Sequence, residues 1–528
     1  MKGYILRTIA LWGRGLILVL LSVYLVALFT QSAYAVTFAR SYGGTDLDEV
    51  LSFQRTSDGG YIAAGYTWSF GAGRYDILLI KTDANGNLQW TKTYGGTNDE
   101  YAYSVQQTSD GGYIVAGYTN SFGSGWEDIL IIRTDASGNI QWAKVYGGVN
   151  PDYAYSVQQT SDGGYIVVGY SDSYTYTYDI ILIKLNSSGN VQWARTFGGA
   201  SWDYAYSVQQ TSDGGYIVTG FTGSFSSGDA DIILIKTNSL GNLQWAKTYR
   251  GTNYDYAYSV QQTSDGGYIV AGHTLSFGAG NWDVFLIKTD ASGNLQWAKT
   301  YGGTDWDYAY SVQQTSDGGY IVAVWTQSFS PGRYFAIIKT NASGNVQWAK
   351  AYAGAWTDWT DRTYSVQQTP DGGYIAAGRV SVDAFDISAF LVKMDANGNV
   401  CSAFQDISPT VTTPSPTVTS PSLTVYSVSP TVLSVSPTVT SPTLIVSDPC
   451  FLNISESCQI TSGIITPYKG GIKVSGSGEF EVKVYNVSGG VVKSARGKNE
   501  VKLDLSRGVY FVEVVSGGEV IREKVIIR

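Results

Sequence analysis

The chain has 528 residues, of which 15% are charged and 14% aromatic, and it contains 62 Gly, 40 Tyr and 15 Trp. This composition is typical of an all-β protein with many turns, and it argues against a disordered chain. Residues 36–404 carry 20 Lys and Arg against 33 Asp and Glu, a net charge of −13. Such an acidic body argues against nucleic acid as a partner, because phosphate contacts need clustered basic residues.

The first 35 residues have the order of an export signal. Lys2, Arg7 and Arg14 precede an apolar run over 16–29, and a small-x-small cleavage position follows at 33–35. We predict a signal peptide over 1–35 and an extracellular or cell-surface protein. The alternative is an uncleaved anchor, for which the run is short. No later stretch is long and apolar enough to predict a transmembrane segment.

A tetrapeptide repeat organises the next part of the chain. Asp-Gly-Gly-Tyr begins at Asp58, Asp110, Asp162, Asp213, Asp265, Asp317 and Asp371. Each unit holds four short apolar or alternating segments separated by turn residues, for example 102–108, 113–119, 128–134 and 140–146. We call these segments strands A to D. Repeats of this length with four strands are typical of propeller blades, so we predict an all-β, seven-bladed β-propeller over 36–404.

Strand D indicates how the ring closes. Six copies carry a tryptophan: Trp90, Trp142, Trp193, Trp245, Trp297 and Trp348. At the seventh copy Ser402 stands in that place, whereas "VTFARSYGG" at 36–44 aligns with "LQWAKTYGG" at 88–96 and puts Phe38 there. We therefore predict that the N-terminal strand completes blade 7, which leaves no open junction in the ring.

Two runs carry a family resemblance. "WAKTYGGTDWDYAYSVQQTSDGGYIVA" at 297–323 resembles the bacterial secreted β-propeller repeat family, and "LIKTDASGNLQW" is similar to quinoprotein-type propeller blades. The resemblance covers 36–404 and implies the propeller fold. It implies no catalytic residue, and nothing beyond blade shape suggests a cofactor, so none is predicted.

The segment 405–449 changes composition and holds 8 of the 12 prolines. Ser-Pro-Thr-Val recurs at 408, 415, 429 and 436. Proline blocks sheet pairing and favours the extended polyproline II conformation. We therefore predict a Pro/Thr/Ser-rich linker that acts as a semi-stiff stalk.

Residues 450–528 alternate again as strands, over 479–489, 500–506, 508–517 and 519–528. We predict a small β-sandwich there. The runs "VYNVSGGVVK", "LSRGVYFVEV" and the terminal "KVIIR" resemble the C-terminal sorting domain of type IX secretion cargo. This resemblance implies attachment to the cell envelope.

The loops divide into two classes. The A–B and C–D turns are nearly identical in all blades, whereas the B–C and D–A loops, which share the opposite face, vary. The aromatic residues of these variable loops include Trp68, Trp126, Tyr176, Trp202, Trp282, Trp306, Trp356 and Trp359. We predict that they form a binding surface for a polysaccharide or a surface protein. The alternative is that the rings pack against neighbouring blades.

A carboxylate begins strand A in every blade: Asp48, Glu100, Asp152, Asp203, Asp255, Asp307 and Asp361. Hard cations prefer such oxygen ligands, which makes these residues a weak candidate for a metal ring. The favoured interpretation is that each carboxylate accepts hydrogen bonds within its own loop. His273 is the only histidine and stands where other blades have Tyr, so we predict no histidine-based metal site or catalytic triad.

Three functions fit these patterns. The first is a non-enzymatic binding or adhesion scaffold that presents the aromatic, acidic face. The second is a carbohydrate-active enzyme using paired carboxylates of the ring. It is disfavoured because an acid and a nucleophile need different environments, whereas the ring members have equivalents in every blade. The third is a purely structural envelope component.

Overall fold

The structure, a computed structural model, describes residues 37–175, 177–226, 229–328, 334–352, 361–381 and 387–400, and beyond them only the strands given below. The predicted signal peptide and three candidate residues, Tyr176, Trp356 and Trp359, lie outside this part. Every regular element described is a β-strand. Within the described residues, no helix has the length and apolar character needed to cross a membrane.

Seven antiparallel blades form the body of the protein, each with strands in the order A-B-C-D. The chain starts with β1 (Phe38–Gly43), which belongs to the last blade. Blade 1 contains β2 (Asp48–Arg55), β3 (Tyr61–Thr67), β4 (Asp76–Thr82) and β5 (Leu88–Gly95). Blade 2 contains β6 (Glu100–Gln107), β7 (Tyr113–Thr119), β8 (Asp128–Thr134) and β9 (Ile140–Gly147). Blade 3 contains β10 (Asp152–Gln159), β11 (Tyr165–Ser171), β12 (Asp179–Leu185) and β13 (Val191–Gly198).

The remaining blades repeat this plan. Blade 4 contains β14 (Asp203–Gln210), β15 (Tyr216–Thr222), β16 (Asp231–Thr237) and β17 (Leu243–Arg250). Blade 5 contains β18 (Asp255–Gln262), β19 (Tyr268–Thr274), β20 (Asp283–Thr289) and β21 (Leu295–Gly302). Blade 6 contains β22 (Asp307–Gln314), β23 (Tyr320–Thr326), β24 (Tyr334–Thr340) and β25 (Val346–Tyr352). Blade 7 contains β26 (Arg362–Gln368), β27 (Tyr374–Ser381), β28 (Ile387–Met394) and β1.

The N-terminal strand closes the ring, as predicted. β1 pairs antiparallel with β28, with Phe38 opposite Lys393. The Phe38 ring lies 6.2 Å from Tyr61 of blade 1, which matches the 5.8 Å between Trp90 and Tyr113 at the next junction. Phe38 therefore takes the place of the strand D tryptophan, and the predicted seven-bladed propeller is confirmed.

The Asp-Gly-Gly-Tyr motif fixes the turn between strands A and B. The Asp58 carboxylate accepts a hydrogen bond from the buried Lys81 ammonium at 2.8 Å. Burial acts to raise the pKa of Asp58, but hydrogen bonds from Lys81 and Thr56 outweigh it and lower the pKa to about 2. The same ion pair occurs in every blade: Lys81–Asp58, Arg133–Asp110, Lys184–Asp162, Lys236–Asp213, Lys288–Asp265, Lys339–Asp317 and Lys393–Asp371. The motif is thus structural, because it ties each A–B turn to strand C.

The Pro/Thr/Ser-rich segment adds a fifth strand to every blade. Its strands, which we call the belt, are β29 (Phe404–Asp406), β30 (Thr410–Thr412), β31 (Thr417–Thr419), β32 (Thr424–Ser427), β33 (Thr431–Ser434), β34 (Thr438–Thr440) and β35 (Ile445–Ser447). In chain order they pair antiparallel with strand D of blades 6, 5, 4, 3, 2, 1 and 7. The belt therefore follows the ring in the direction opposite to the blades.

The register of the belt repeats around the ring. In blade 5, Val411 lies opposite Tyr301, and in blade 4, Val418 lies opposite Tyr249. The segment 405–449 is therefore not the free stalk that the sequence analysis predicts. No proline of the segment falls within a belt strand, as expected of a residue that cannot donate to a ladder. The Thr- and Val-rich triplets pair instead, because the outer edges of the blades offer unpaired backbone groups.

The C-terminal part forms a separate antiparallel sheet. Its strands are β36 (Ile464–Tyr468), β37 (Gly471–Asn486), β38 (Val491–Asp504), β39 (Gly508–Ser516) and β40 (Glu519–Ile527). Alternate residues bury one face, including Val482 and Val484 of β37 and Val512 and Val514 of β39. The four predicted strands are present, but β37 and β38 both begin earlier than predicted, and β36 was not predicted. The described strands form one layer, so the predicted sandwich stays a prediction.

Candidate binding face

The two ends of the blades form two surfaces. We call the surface of the B–C and D–A loops the loop face, and the surface of the A–B and C–D turns the turn face. On the loop face, Trp126 is 75%, Trp202 60%, Trp68 50% and Trp306 41% exposed. Four of the predicted aromatic residues are thus accessible to a ligand, whereas Trp282 is half-buried.

Trp126 stands at a groove between blades 1 and 2. The groove has a volume of about 640 Å³ and is lined by Arg74, Asn98, Asp99, Asn120, Ser124, Gly125, Trp126 and Val149. Arg74 lies 3.9 Å from the Asp99 carboxylate, and the Asn98 amide donates to the backbone carbonyl of Asn120 at 3.1 Å. An exposed flat ring therefore lies next to a guanidinium, a carboxylate and amides. Of these residues, only Trp126 could be predicted from the sequence as part of a binding surface.

A second cavity, of about 370 Å³, lies where blades 5, 6 and 7 meet. Its lining includes Tyr256, Tyr258, His273, Trp282, Trp306, Tyr308, Tyr310, Trp325 and Arg362. The Tyr308 ring lies 4.2 Å from His273 and 5.0 Å from Trp325, which stacks on it. The Arg362 guanidinium lies 5.4 Å from the Trp325 ring centre, a cation–π distance.

This aromatic cavity contains residues that break the repeat. His273 and Trp325 occupy the strand B position that holds Tyr66 in blade 1, and Arg362 replaces the tyrosine found at the second position of strand A in blades 2–6. Burial lowers the pKa of His273 well below its usual range, so the ring is neutral. Comparing the blades with one another would have located this cavity, because its unusual residues are the ones in which the blades differ.

Each carboxylate of the candidate metal ring is used within its own loop region. Asp307 is buried and accepts hydrogen bonds from the Gly303 backbone at 3.0 Å, from the Ser328 hydroxyl at 2.6 Å and from Thr326. Glu100 accepts from Gly96, Thr119 and Ser121 in the same way. Within the described residues, no three carboxylates, histidines or cysteines come together as metal ligands. These contacts support the favoured structural interpretation.

A second row of carboxylates, at the start of strand C, creates close carboxyl pairs at four blade junctions. The pairs are Asp76–Glu100, Asp128–Asp152, Asp179–Asp203 and Asp283–Asp307. At the junction of blades 5 and 6, both carboxylates crowd the α-carbon of Gly302, so any side chain there would collide with them. Asp283 is buried, and its Oδ1 accepts no hydrogen bond from the residues that the structure describes. Burial, with Asp307 nearby, raises the pKa of Asp283 to about 7.

The chain is similar to parts of several known proteins. The chain is 28% identical over 174 residues to the Regulatory protein FlaEY of Caulobacter vibrioides, a match of 30% of this chain and 17% of that protein. It is also similar to two crystal structures of proteins of unknown function. The one from Bacteroides caccae is 14% identical, with 55% of this chain and 93% of that chain covered at a TM-score of 0.31. The one from Dyadobacter fermentans is 11% identical, with 67% and 97% covered at 0.42. None of these likenesses assigns an activity.

The C-terminal sheet is the part with a family match. Residues 466–528 match the secretion system C-terminal sorting domain. This match agrees with the resemblance carried by residues 484–493, 505–514 and 524–528. Because that domain marks exported cargo, the chain is a secreted, cell-surface-attached β-propeller protein with a C-terminal sorting domain.

Proposed function

We propose that this protein is a cell-surface binding module whose loop face holds a polysaccharide. The observation that carries the proposal is the groove beside Trp126, where an indole that is 75% exposed adjoins Arg74, Asn98 and Asn120. A sugar ring offers an apolar C–H face and a rim of hydroxyl groups. A flat aromatic ring beside amides and a guanidinium matches both features.

The distribution of the exposed rings favours a polymer over a small molecule. Trp68 belongs to blade 1, Trp126 to blade 2, and Trp202 to the loop between blades 3 and 4. A chain of sugars can contact several such rings at once, which multiplies weak individual contacts. The strands below hold the loops in place, so little ordering is required on binding.

We propose that the protein binds the polysaccharide and does not cleave it. A glycoside hydrolase needs two accessible carboxyl groups on either side of the scissile bond. The strand A carboxylates, such as Asp203 and Asp255, are fully buried beneath the loops. A surface protein as the partner is the competing outcome of the experiment.

The test uses the full chain on a polysaccharide and glycan array, followed by affinity measurement on the retained glycan. Trp126→Ala should weaken binding at least tenfold, since a central aromatic anchor contributes about 2 kcal/mol or more. Leu240→Ala is the matched control, because Leu240 is an exposed apolar residue of the turn face and should bind normally. Equal losses in both variants, or retention of no glycan at all, would refute the proposal.

A further inference from the structure

The aromatic cavity where blades 5, 6 and 7 meet has no part in the function proposed above. Its volume, about 370 Å³, is at the lower end of the range of roughly 300–1,000 Å³ found for small-molecule sites. It opens on the loop face, because Trp306 in its lining is exposed and Tyr256 and Tyr308 are half-buried. The cavity is therefore accessible from solvent, and its size suits a small ligand such as one sugar residue.

Aromatic rings dominate the described lining, which includes four tyrosines and three tryptophans. Trp282 lies 6.1 Å from Tyr308 and 5.4 Å from Tyr256, with tilted ring planes. Flat rings of this kind suit the apolar C–H faces of a sugar, and phenol and indole groups can also hydrogen bond its hydroxyl groups. Such a lining favours a ring-shaped ligand that has an apolar face and several hydroxyl groups.

Two buried nitrogen atoms of this lining have no hydrogen-bond partner among the described residues. They are Nδ1 of His273 and Nε of Arg362. Buried polar atoms are nearly always hydrogen bonded, so unpaired ones in the wall of a cavity indicate where a ligand or an ordered water binds. Both residues replace a tyrosine of other blades, and His273 is the only histidine. No other blade therefore offers the same pair of groups.

The charge next to this cavity is positive. Burial raises the pKa of Tyr310, and the Arg362 and Arg379 guanidiniums both act against that rise. Glu49 also acts on Tyr310, but its carboxylate pairs with Arg379 at 2.7 Å. The strand A carboxylates of these blades, such as Asp307, already accept hydrogen bonds within their own loops. Among the described residues no carboxylate forms an ion pair with Arg362, so an anionic group is favoured there over a cation.

We propose that the aromatic cavity binds a hexuronic acid residue, which is a sugar ring that carries a carboxylate. The Arg362 guanidinium pairs with the carboxylate, His273 hydrogen bonds a hydroxyl group, and the aromatic rings contact the C–H faces of the sugar. A purely aromatic acid would leave the His273 nitrogen unpaired, and a quaternary ammonium ligand would be repelled by Arg362. The site is distinct from the groove beside Trp126, so either proposal can fail without the other.

Ligand-observed NMR titrations of the full chain test the site, with sodium glucuronate as the probe. Glucose, which lacks the carboxylate, and benzoate, which lacks the hydroxyl groups, are titrated at the same ionic strength. We expect glucuronate to bind at least tenfold more tightly than either, because hydrogen bonds to charged groups are among the stronger ones and benzoate cannot use His273. A smaller preference over glucose or benzoate, or no binding of glucuronate at all, would overturn the proposal.

A pair of arginine variants separates the site from the overall charge of the loop face. Arg362→Gln should weaken glucuronate binding at least tenfold. Arg74→Gln removes the same charge between blades 1 and 2, and binding should stay within threefold of the unmodified protein. Trp126→Ala should also leave glucuronate binding within threefold, which keeps this test separate from that of the proposed function. Equal weakening in the two arginine variants would attribute binding to net charge and contradict the site.

His273→Tyr is a second variant, and it restores the residue that Tyr66, Tyr118 and Tyr170 provide at this position in blades 1 to 3. The larger ring fills part of the cavity and removes the unpaired nitrogen, so glucuronate binding should weaken at least tenfold. This variant decides the matter should Arg362→Gln not fold. Unchanged glucuronate binding in folded His273→Tyr protein would overturn the proposal.

Discussion

Carboxylates on the turn face and on the loop face have opposite surroundings, and the two ends of a single strand show the difference. Strand β20 ends near Lys288, whose ammonium lies 2.9 Å from the Asp265 carboxylate on the turn face. The same strand begins with Asp283, whose carboxylate lies near that of Asp307 on the loop face. Among the described residues, no Lys or Arg forms an ion pair with Asp283. Hydrogen bonds lower the pKa of Asp265 to about 2 against the effect of burial, whereas burial raises that of Asp283 to about 7.

The difference shows how a repeat protein can divide its tasks. The turns of the turn face are short and nearly identical in all blades, and each A–B turn places its aspartate in an ion pair with strand C, as expected of a surface selected for stability. The loop face keeps like charges together and exposes Trp126 and Trp202. Such local costs are tolerated where they serve function and where the rest of the fold is stable enough to absorb them.

Removing β1 should give the largest effect, because this strand contributes to both faces. Deletion of 36–44 removes the Tyr42 hydroxyl that donates to Gly86 at 2.6 Å on the turn face. It also removes the Gly44 N–H that donates to Asp48 at 2.6 Å on the loop face. Burial of Phe38 and Tyr42 contributes about 1.5–3 kcal/mol each. We expect loss of the monomer in size-exclusion chromatography and a large fall in melting temperature.

Phe38→Trp is the matched control for that deletion, because it restores the residue found in the other strand D copies. It should elute and melt like the unmodified protein. A deletion variant that remains a monomer with an unchanged melting curve would contradict closure by the N-terminal strand.

Breaking one ion pair of the turn face should cost less. Asp265→Asn leaves the buried Lys288 ammonium with the Thr289 carbonyl and the Gln296 amide oxygen as acceptors, and no carboxylate. Because Asp265 itself is half exposed, we expect a loss of about 2 kcal/mol, below the range for fully buried pairs. Chemical denaturation at pH 7 measures it. Adding Lys288→Met should recover part of the loss, and a double variant less stable than Asp265→Asn would refute the explanation.

The sequence predicted the part of the fold that repeats. Seven Asp-Gly-Gly-Tyr copies and six strand D tryptophans determine the blade number and, through Phe38, the closure. These signals are reliable because each reflects one local requirement, a turn or a packing contact, repeated in every blade. The sequence also placed Trp68, Trp126 and Trp202 in variable loops, but it left open whether their rings are exposed or packed against neighbouring blades.

The belt and the groove could not be predicted in the same way. The proline content of 405–449 favoured an extended linker, and the sequence does not show that seven outer strands have free edges nearby. In retrospect, belt strands β30–β35 begin at intervals of seven residues, at Thr410, Thr417, Thr424, Thr431, Thr438 and Ile445. The groove residues Arg74 and Asn98 lie far apart in the chain and belong to no motif, so only the packing of adjacent blades brings them together.

The stability contributed by the Asp283–Asp307 carboxyl pair should depend on pH in the opposite direction to that contributed by the Lys288–Asp265 ion pair of the turn face. The pKa of Asp283 is higher in the folded protein than its ordinary value of 3.8. The stability that its protonated form contributes is therefore complete below about pH 4 and is lost as the pH rises through 7. Asp283→Asn removes the buried charge, so it should stabilise the protein at pH 8 by the order of 1–3 kcal/mol and give no gain at pH 4.

Denaturation curves at several pH values test this dependence. Asp305→Asn is the control, because Asp305 is an exposed carboxylate close to Asp307, and it should leave the profile unchanged. A gain for Asp283→Asn of equal size at pH 4 and pH 8 would show that packing, and not ionisation, is responsible.

Disrupting one strand of the belt should have a smaller effect on stability, confined to the loop-face end of the strand D with which it pairs. Its blade 4 strand pairs with Thr248, Tyr249 and Arg250, the last residues of β17. Replacing 417–419 with Gly-Pro-Gly removes one short ladder, so the global loss should be below about 1 kcal/mol. Hydrogen exchange should become faster at 248–250 and stay unchanged at 300–302 of blade 5. Equal acceleration in both blades would mean that the belt acts as one unit.

The smallest effect on stability is expected where the proposed function lies. Two tryptophans of blade 2 make the comparison, because they differ in surroundings and not in chemistry. Trp142 packs on Tyr165, with ring centres 5.9 Å apart, and donates to the Ser187 carbonyl at 3.3 Å, so Trp142→Ala should cost about 2–3 kcal/mol. Trp126 is 75% exposed, and Trp126→Ala should change the free energy of unfolding by less than about 0.5 kcal/mol. A destabilisation by Trp126→Ala comparable to that of Trp142→Ala would mean that the Trp126 ring is needed for packing. The aromatic residues of the loop face would then have a structural role and not a binding role.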